Sequence, residues 1–451
     1  MDWDELAEEQ SQRYFAAWLR GLMRETPGLF LSLAGKHRPE SKPVEASDPM
    51  TGAFNICSVV TFEDGFKAIV RLPILGRSRF RVEKTNDELL IMAFLTPRTA
   101  IPLPTILGTG PWEYNPYVVM TFVEGVLLSH CLRDPSVQSP SLRPDVADSD
   151  LARAYRAMAG IVLELYKLTF PRIGAVCHVP GAWKIGKRPL TLNMNELVRV
   201  GNFPPKEFSQ DTFQSASDYF QELANQHFLH LQYQRNNAIK DADDCRKKYT
   251  ARCLFRKITR EIRTEKGPFR LYCDDLRPSN VIVTSESDFT VKGVIDWEYT
   301  YSAPVEFSYA APWWLLLETP ESWEDDLHVF LGRYRPRLAV WLAVLRACED
   351  EKIAKGEMGE GDRLSGRMEQ SLDNGVFWLC LAARRSQLFD DIYWTFLDGM
   401  FFGEFTTMDD RYKLLSEEER VRMDGFVEEK MRQKEERQLD EHMTIEEVMS
   451  L

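Results

Sequence analysis

The spacing of apolar residues changes from helical to alternating within the first part of the chain. Helical spacing over 4–30 predicts a leading helix, which the sequence Thr26-Pro27-Gly28 ends. A period of two then predicts strands over 56–62 and 66–72. The turn between them contains Asp64-Gly65, a pair that hairpins favour. The pattern therefore predicts a β-hairpin after the leading helix.

Beyond the hairpin the pattern becomes mostly helical. A helix is predicted over 85–95 and a strand over 117–122. Helical spacing then dominates in six windows: 148–168, 210–237, 240–264, 321–349, 367–396 and 415–445. Three short apolar runs interrupt this region, at 271–272, 281–284 and 291–295. We expect strands there, because strands fix the ends of the loops between them.

Composition limits the function classes that remain open. A chain of 451 residues with 44% apolar side chains exceeds one hydrophobic core, so two lobes or domains are expected. The net charge of -13 would repel a polyanion and argues against a nucleic-acid partner. Eight cysteines without a paired motif indicate reduced thiols. The chain shows neither a signal peptide nor an apolar run of about 18 residues, so we expect a cytoplasmic protein without a membrane partner.

The chemistry is concentrated between the short apolar runs. Asp275 and Asn280 form a D-x-x-x-x-N arrangement, and Asp296 follows at the end of the run over 291–295. Phosphoryl transfer uses these residue types, because a base must receive the proton of the attacking hydroxyl while an amide oxygen and a carboxylate hold Mg²⁺. The bare spacing is common by chance, so its meaning depends on what precedes it.

The upstream residues follow the order found in bilobal kinases. Ala68-Ile69-Val70-Arg71 places Arg71 where the phosphate-binding lysine of a V-A-I-K strand would lie, and arginine can contact phosphates bidentately. Glu88 on the following helix is best placed to orient this cation, with Asp87 as the second choice. The turn from Gly52 to Asn55 would cover the phosphates, because its backbone N–H groups could face their oxygens.

Several stretches together carry a family resemblance. They are Thr61-Phe62-Glu63-Asp64-Gly65 with Arg71-Leu72-Pro73, Ile101-Pro102-Leu103-Pro104, Phe122-Val123-Glu124-Gly125, the loop from Asp275 to Asn280, and Ile295-Asp296-Trp297-Glu298. With them the chain resembles the aminoglycoside phosphotransferase (APH) family of kinase-like enzymes, in its fungal branch. The resemblance covers roughly residues 50–310. It implies Asp275 as the base, Asn280 and Asp296 as metal ligands, and Arg71 as the phosphate contact.

Three positions of the catalytic loop depart from the family motif His-Gly-Asp-Leu-His-Pro-Gly-Asn, and a fourth, Arg277, is compared with the protein-kinase form of the loop. Cys273 replaces the motif histidine, which braces the loop, and Asp274 and Ser279 replace its two glycines. Asp274 either raises the pKa of Asp275 or points outward into solvent. Arg277 takes the place of the lysine in the protein-kinase form of the loop and is expected to help neutralise the γ-phosphate.

The resemblance implies an α+β, bilobal, protein-kinase-like fold. It has a small mixed α/β N-lobe with an antiparallel sheet and a larger, mostly helical C-lobe. We divide the chain into a helical extension and linker (1–49), the N-lobe (50–125), the C-lobe with helical insertions (126–405) and a charged helical tail (406–451). The expected activity is transfer of the γ-phosphoryl group of ATP, with Mg²⁺, to a hydroxyl of a small molecule.

Two other functions remain as alternatives. One is a noncatalytic kinase-like protein that binds ATP or acts as a scaffold. The other is a protein kinase, which is disfavoured because Trp297 and Glu298 follow Asp296 where a D-F-G segment would continue. The sequence leaves the oligomeric state open, and the acceptor could be aminoglycoside-like, choline-like or another hydroxylated metabolite.

Overall fold

The computed structural model describes residues 1–113, 115–262, 264 and 266–451. Arg263, near the end of the helix predicted over 240–264, lies outside these residues. The strands are β1 (Pro43–Ala46), β2 (Met50–Thr51), β3 (Asn55–Phe62), β4 (Lys67–Pro73), β5 (Ile106–Trp112), β6 (Asn115–Thr121), β7 (Val126–Leu127), β8 (Thr169–Phe170), β9 (Ala175–Val179), β10 (Ala182–Lys187), β11 (Phe269–Cys273), β12 (Val281–Val283), β13 (Val291–Val294) and β14 (Thr300–Ala303).

Among the described residues the α-helices outnumber the strands. They are α1 (Glu5–Glu25), α2 (Gly28–Gly35), α3 (Arg81–Leu95), α4 (Leu128–Leu132), α5 (Asp148–Tyr166), α6 (Leu192–Val200), α7 (Ala216–Tyr233), α8 (Ala242–Glu261), α9 (Val305–Tyr309), α10 (Leu327–Ala354), α11 (Ser365–Gln370), α12 (Val376–Arg384), α13 (Phe389–Ile392), α14 (Asp398–Phe402), α15 (Met408–Tyr412), α16 (Glu417–Glu436) and α17 (Ile445–Ser450). Within the described residues, no helix combines the length and the apolar character needed to cross a bilayer.

An antiparallel sheet forms the N-lobe, in the order β1-β3-β4-β6-β5, with β2 paired to β3. The predicted hairpin is confirmed as β3 and β4, and Gly65 in its turn has a φ of +82°. A left-handed residue of this kind is where glycine carries no steric penalty. The strand β1 lies before residue 50 and pairs with β3. The predicted boundary of the N-lobe at residue 50 stays a prediction.

Two helices cover one face of this sheet. Leu22, Phe30 and Leu33 from α1 and α2 are buried against a group of strand residues: Ile56, Val60, Phe62, Val70, Leu72 and Val119. The predicted leading helix is confirmed as α1, which ends at Glu25, and α2 follows it as a second helix. Thr26 between them is extended, with a ψ of 141°. A residue before proline is pushed out of the helical region, so Pro27 separates the two helices.

The described residues of the C-lobe form a large helical core and three small sheets. One sheet is the hairpin of β9 and β10. The strands β14-β11-β8 form the second and β13-β12-β7 the third, which confirms the three short runs as β11, β12 and β13. The chain enters this lobe at Gly125, whose φ is +147°. A Cβ there would overlap the carbonyl oxygen of Val283, so the backbone of the connection lies directly on β12.

The long helices of the C-lobe agree with the sequence pattern except in one window. The helices α5, α7, α8, α10 and α16 confirm those predicted over 148–168, 210–237, 240–264, 321–349 and 415–445. The window 367–396 instead contains three short helices, α11 to α13, and the start of a π-helical turn at Tyr393–Leu397. Gly375 is left-handed and Arg385 is extended, and both conformations interrupt a helix.

The packing of α1 and α2 against the N-lobe sheet can be tested by substitution. Phe30→Ala should lower the free energy of unfolding by about 3–5 kcal/mol, because a fully buried aromatic side chain is lost and a cavity remains. The measurement is urea unfolding followed by tryptophan fluorescence. Met23→Ala on α1 is the control, since Met23 is 49% exposed. An equal effect of the two substitutions would contradict the proposed packing.

Candidate active site

An open cavity of about 540 Å³ lies between the N-lobe sheet and the loops of the C-lobe. This volume is typical of small-molecule sites. All eight site residues predicted from the sequence line it: Gly52, Asn55, Arg71, Glu88, Asp275, Arg277, Asn280 and Asp296. Apolar side chains from both lobes complete the wall, among them Cys57, Ile69, Met120, Phe122, Leu127, Ile282 and Ile295. The structure thus brings the predicted residues to one place, while the role of each stays a prediction.

The loop after β11 presents Asp275 and Asn280 to this cavity. Pairing of β11 with β14 fixes the start of the loop, and a 3₁₀ turn at Pro278–Asn280 closes it. The Asn280 amide Nδ2 donates to the Asp275 backbone oxygen at 2.8 Å and to its carboxylate Oδ2 at 3.3 Å. The Arg277 Nε lies 3.0 Å from Asp275 Oδ1. Burial raises the pKa of Asp275, and Arg277 partly opposes this effect.

Asp296 follows β13 and lies beside the same loop. The Ile295 backbone N–H donates to the Asn280 backbone oxygen at 2.9 Å, which ties the two segments together. Asp296 has a φ of +62°, an unusual conformation for a residue with a side chain. Its Oδ1 is buried and accepts no hydrogen bond from the described residues. Uncommon backbone conformations of this kind concentrate at functional sites.

The cation of β4 contacts acidic groups from two other elements. Arg71 forms an ion pair with Glu88 of α3, and its Nη1 lies 3.7 Å from Asp296 Oδ1. Glu88 also accepts the Trp297 backbone N–H at 3.2 Å. Asp87, the second choice for orienting Arg71, instead pairs with Lys187 at 2.6 Å. Glu88 therefore connects the N-lobe sheet, α3 and the segment after β13.

Sequence reasoning missed a second buried ion pair beside the first. Lys84, one helical turn before Glu88, is fully buried and pairs with Glu298. Asn55 completes the group, because its Oδ1 accepts from Lys84 Nζ at 3.2 Å and its Nδ2 donates to Glu298 Oε1 at 2.8 Å. The signal was present in the i, i+4 spacing of Lys84 and Glu88, which places both side chains on one helix face.

The buried charges around Arg71 leave an excess of negative charge. Two cations, Arg71 and Lys84, face three carboxylates, those of Glu88, Asp296 and Glu298. Burial and the nearby Glu298 carboxylate raise the pKa of Asp296. Burial also acts to raise the pKa of Glu298, but Lys84 and Arg71 hold it below its usual value. A divalent cation would offset this excess charge.

The residues present fit such a cation. Asp296 provides a carboxylate oxygen without a hydrogen-bond donor. Asn280 donates through Nδ2 and so keeps its carbonyl oxygen as an acceptor. Hard oxygen ligands of these two kinds are the ones that Mg²⁺ takes in proteins. Asn280 and Asp296 are the residues that could hold it.

The departures from the family loop motif can be understood from their contacts. Cys273 is buried, pairs through its backbone with Thr300 and contacts the Glu298 backbone oxygen through Sγ at 3.7 Å. The expectation that Asp274 points into solvent is wrong, and the expectation that it raises the pKa of Asp275 stays a prediction. Its carboxylate is buried, lies 3.4 Å from Arg384 Nη1 and accepts the Tyr301 hydroxyl at 3.2 Å. Asp274 therefore anchors the loop to the C-lobe core and does not point into solvent.

The turn predicted to cover phosphates is the loop of a small hairpin between β2 and β3. Its Gly52 N–H donates to the Asn55 backbone oxygen at 2.8 Å, and the Gly52 oxygen accepts from Arg77 Nη1 at 3.0 Å. The Gly52 N–H is thus already engaged within the turn. The Asn55 side chain is held by the pair of Lys84 and Glu298, so it fixes the turn against the C-lobe segment.

Comparison with models of known protein families identifies the family of this chain. A family model described as the phosphotransferase enzyme family (APH) matches residues 59–341, more than half of the chain. The chain belongs to the phosphotransferase enzyme family. The match begins in β3 and ends in α10, so it includes Arg71, Glu88, Asp275, Asn280 and Asp296. The predicted family resemblance is confirmed.

Named relatives of this phosphotransferase are distant. It is 24% identical over 302 residues to clavilactone A biosynthesis cluster protein Y of Ampulloclitocybe clavipes, covering 63% of this chain and 67% of that protein. It is 23% identical over 297 residues to altered inheritance of mitochondria protein 9, mitochondrial, of Debaryomyces hansenii, covering 56% of this chain and 46% of the relative. The match therefore spans less than half of the second relative. The fungal origin of both agrees with the predicted fungal branch.

The chain also aligns with solved structures at low sequence identity. Macrolide 2'-phosphotransferase type I aligns over 89% of this chain and 96% of its own, with a TM-score of 0.41 and 13% identity. Amicoumacin kinase hAmiN, in complex with AMP-PNP, Ca²⁺ and Ami, aligns over 91% of this chain and 95% of its own, with a TM-score of 0.40 and 12% identity.

The buried pair of Lys84 and Glu298 yields a stability prediction. Lys84→Met should lower the free energy of unfolding by about 3–5 kcal/mol, because it leaves a buried carboxylate without its cation. Urea unfolding measures the change, and a second substitution, Glu298→Gln, should recover part of it. Lys67→Met is the control, since the exposed pair of Lys67 and Glu124 should contribute about 0–1 kcal/mol. Equal losses in the two lysine variants would refute this role of Lys84.

Proposed function

We propose that this phosphotransferase moves the γ-phosphoryl group of ATP, in the presence of Mg²⁺, to a hydroxyl group of a small molecule. One observation carries the proposal. Asp275, Asn280 and Asp296 from the C-lobe line the same cavity as the ion-paired Arg71 and Glu88 from the N-lobe. Phosphoryl transfer depends on positioning and on charge stabilisation, and these residues supply a base, oxygen ligands and an oriented cation.

Asp275 would receive the proton of the acceptor hydroxyl. Burial raises the pKa of this carboxyl group, which makes it a stronger base than an exposed aspartate. The bond from Asn280 Nδ2 holds the carboxylate in place. Arg277 lies against the carboxylate and lines the cavity, where its charge would help to neutralise the transferred group.

The remaining site residues would bind the nucleotide and its metal. Asn280 and Asp296 would hold Mg²⁺, and Arg71, oriented by Glu88, would contact the phosphates through its planar fork. When bound, Mg-ATP supplies the phosphoryl group and a divalent charge. The backbone of the turn at Gly52, fixed through Asn55, would lie over the phosphates.

The acceptor would be a hydroxylated metabolite, whether aminoglycoside-like, choline-like or of another class. Family membership alone does not choose among them, because one fold serves many substrates. A screen of hydroxylated small molecules for ATP consumption by the full chain would identify the acceptor.

The proposed roles predict large kinetic effects. Asp296→Ala should abolish Mg-ATP-dependent transfer, because a metal ligand is lost, and Asp275→Asn should lower kcat by about 10²–10⁴-fold, because the base is lost. Transfer is measured as acceptor-dependent ATP consumption, and circular dichroism checks the fold. Glu286→Gln is the matched control, an exposed carboxylate in the turn between β12 and β13. Undiminished transfer by Asp296→Ala would refute the assignment.

The response to metal and nucleotide separates an enzyme from a noncatalytic member of the family. Mg-ATP should raise Tm, and removal of the metal with EDTA should reverse most of that rise, because Asn280 and Asp296 act through the cation. The measurement is a thermal unfolding series with ATP alone, Mg²⁺ alone and both. A rise in Tm without turnover of any acceptor would indicate an ATP-binding protein, and an unchanged Tm would indicate a scaffold.

A further inference from the structure

A second cavity, of about 270 Å³, lies apart from the proposed active site and shares no lining residue with it. We call it the arginine cavity. Its walls come from α1, α6, the segment before α3 and the C-terminal segment, and its lining residues include Tyr14, Arg79, Arg199, Asp440, Glu441 and His442. The proposed function assigns nothing to these residues.

Arg79 is the unusual residue of this cavity. Its side chain is only 3% exposed, and its Nε and Nη1 have no hydrogen-bond partner. Among the described residues, no carboxylate lies within ion-pair distance of it, and its one close aromatic contact is Tyr14, with the guanidinium carbon 5.6 Å from the ring centre. Burial lowers the pKa of Arg79 to about 10. A buried charge without a counterion is costly, so native proteins rarely contain one.

The neighbouring groups do not supply the missing negative charge. Arg199 adds a second cation to the wall, and its own partner is Glu196, which accepts its Nε at 3.2 Å. Asp440 is committed to Arg235 at 2.7 Å. Glu441 also lines the cavity, and no ion pair joins it to Arg79.

A histidine lies in the same cavity. Burial lowers the pKa of His442, and a hydrogen bond of its ring to the Asn202 backbone acts in the opposite direction. The ring N–H therefore has a partner within the protein. The guanidinium of Arg79 has none, and it lines a polar space that an oxyanion can enter, with Arg199 as a second cation of the wall.

We propose that the arginine cavity binds the phosphate or carboxylate group of a small anionic metabolite, with Arg79 as the principal contact and Arg199 as a second cation of the wall. Guanidinium groups recognise both oxyanions through paired hydrogen bonds. The bound group would join α1, α6 and the C-terminal segment to the chain just before α3. Arg81, the first residue of α3, already contacts that segment, because its Nη2 donates to the Val448 backbone oxygen at 3.4 Å.

The test measures Tm of the full chain during titration with inorganic phosphate and, separately, with malonate, at ionic strength held constant with chloride. The wild type should show saturable stabilisation at millimolar concentration by at least one probe. Arg79→Gln should weaken that binding by about tenfold or more, since hydrogen bonds to a charged group are lost. The preferred probe identifies the group as phosphate or carboxylate.

Three further variants distinguish the arginine cavity from the active site and from nonspecific binding of anions to surface cations. Arg20→Gln removes an exposed arginine of α1 and should leave the response unchanged. Arg71→Gln alters the proposed active site and should also retain the response. Arg199→Gln should weaken binding less than Arg79→Gln does, because Arg199 is also paired with Glu196, and it tests the site independently if Arg79→Gln does not fold. The proposal would be overturned by a wild type without a saturable response, or by Arg79→Gln and Arg199→Gln variants that bind the anion as tightly as the wild type does.

Discussion

The structure depends on a set of buried charges where the two lobes meet. Arg71 comes from the sheet, Lys84 and Glu88 from α3, and Asp296 and Glu298 from the segment after β13. Asp296 is partly exposed, and the other four charges are buried. Removing a charge from water costs several kcal/mol, which a close partner of opposite sign offsets. The sheet, the helix and the segment can therefore meet in few arrangements, because a shift of any one leaves a charge unpaired.

Two kinds of connection carry this constraint to the catalytic loop. Strand pairing of β11 with β14 fixes the backbone on one side, and Ile295 binds the Asn280 backbone oxygen on the other. The loop can consequently lose the family's histidine and glycines and still be held. Asp274 adds an anchor of its own through Arg384. The departures from the motif change how the loop is supported, whereas Asp275 and Asn280 remain at the cavity.

Sequence patterns anticipated the parts of this structure that local chemistry determines. The hairpin was readable because its alternation and its Asp-Gly turn agree, and Arg71 and Glu88 were readable from their order relative to it. The burial of Lys84 was not predicted, since a lysine in a helical pattern usually faces solvent. Its burial depends on the ion pair with Glu298, which comes from a distant segment. The direction of Asp274 depended in the same way on Arg384. The partners of Lys84 and Asp274 lie far from them in the chain, and these contacts escaped prediction.

The arginine on β4 has a consequence for chemical proteomics. Reagents that detect nucleotide sites by acylating an amine next to the phosphates need a lysine within the cavity. The described residues that line it include none, and the guanidinium of Arg71 stays protonated and does not act as an amine nucleophile. Lys84, the amine behind Glu88, is fully buried in its own ion pair. Surveys based on lysine labelling would therefore pass over this protein even when its cavity is filled.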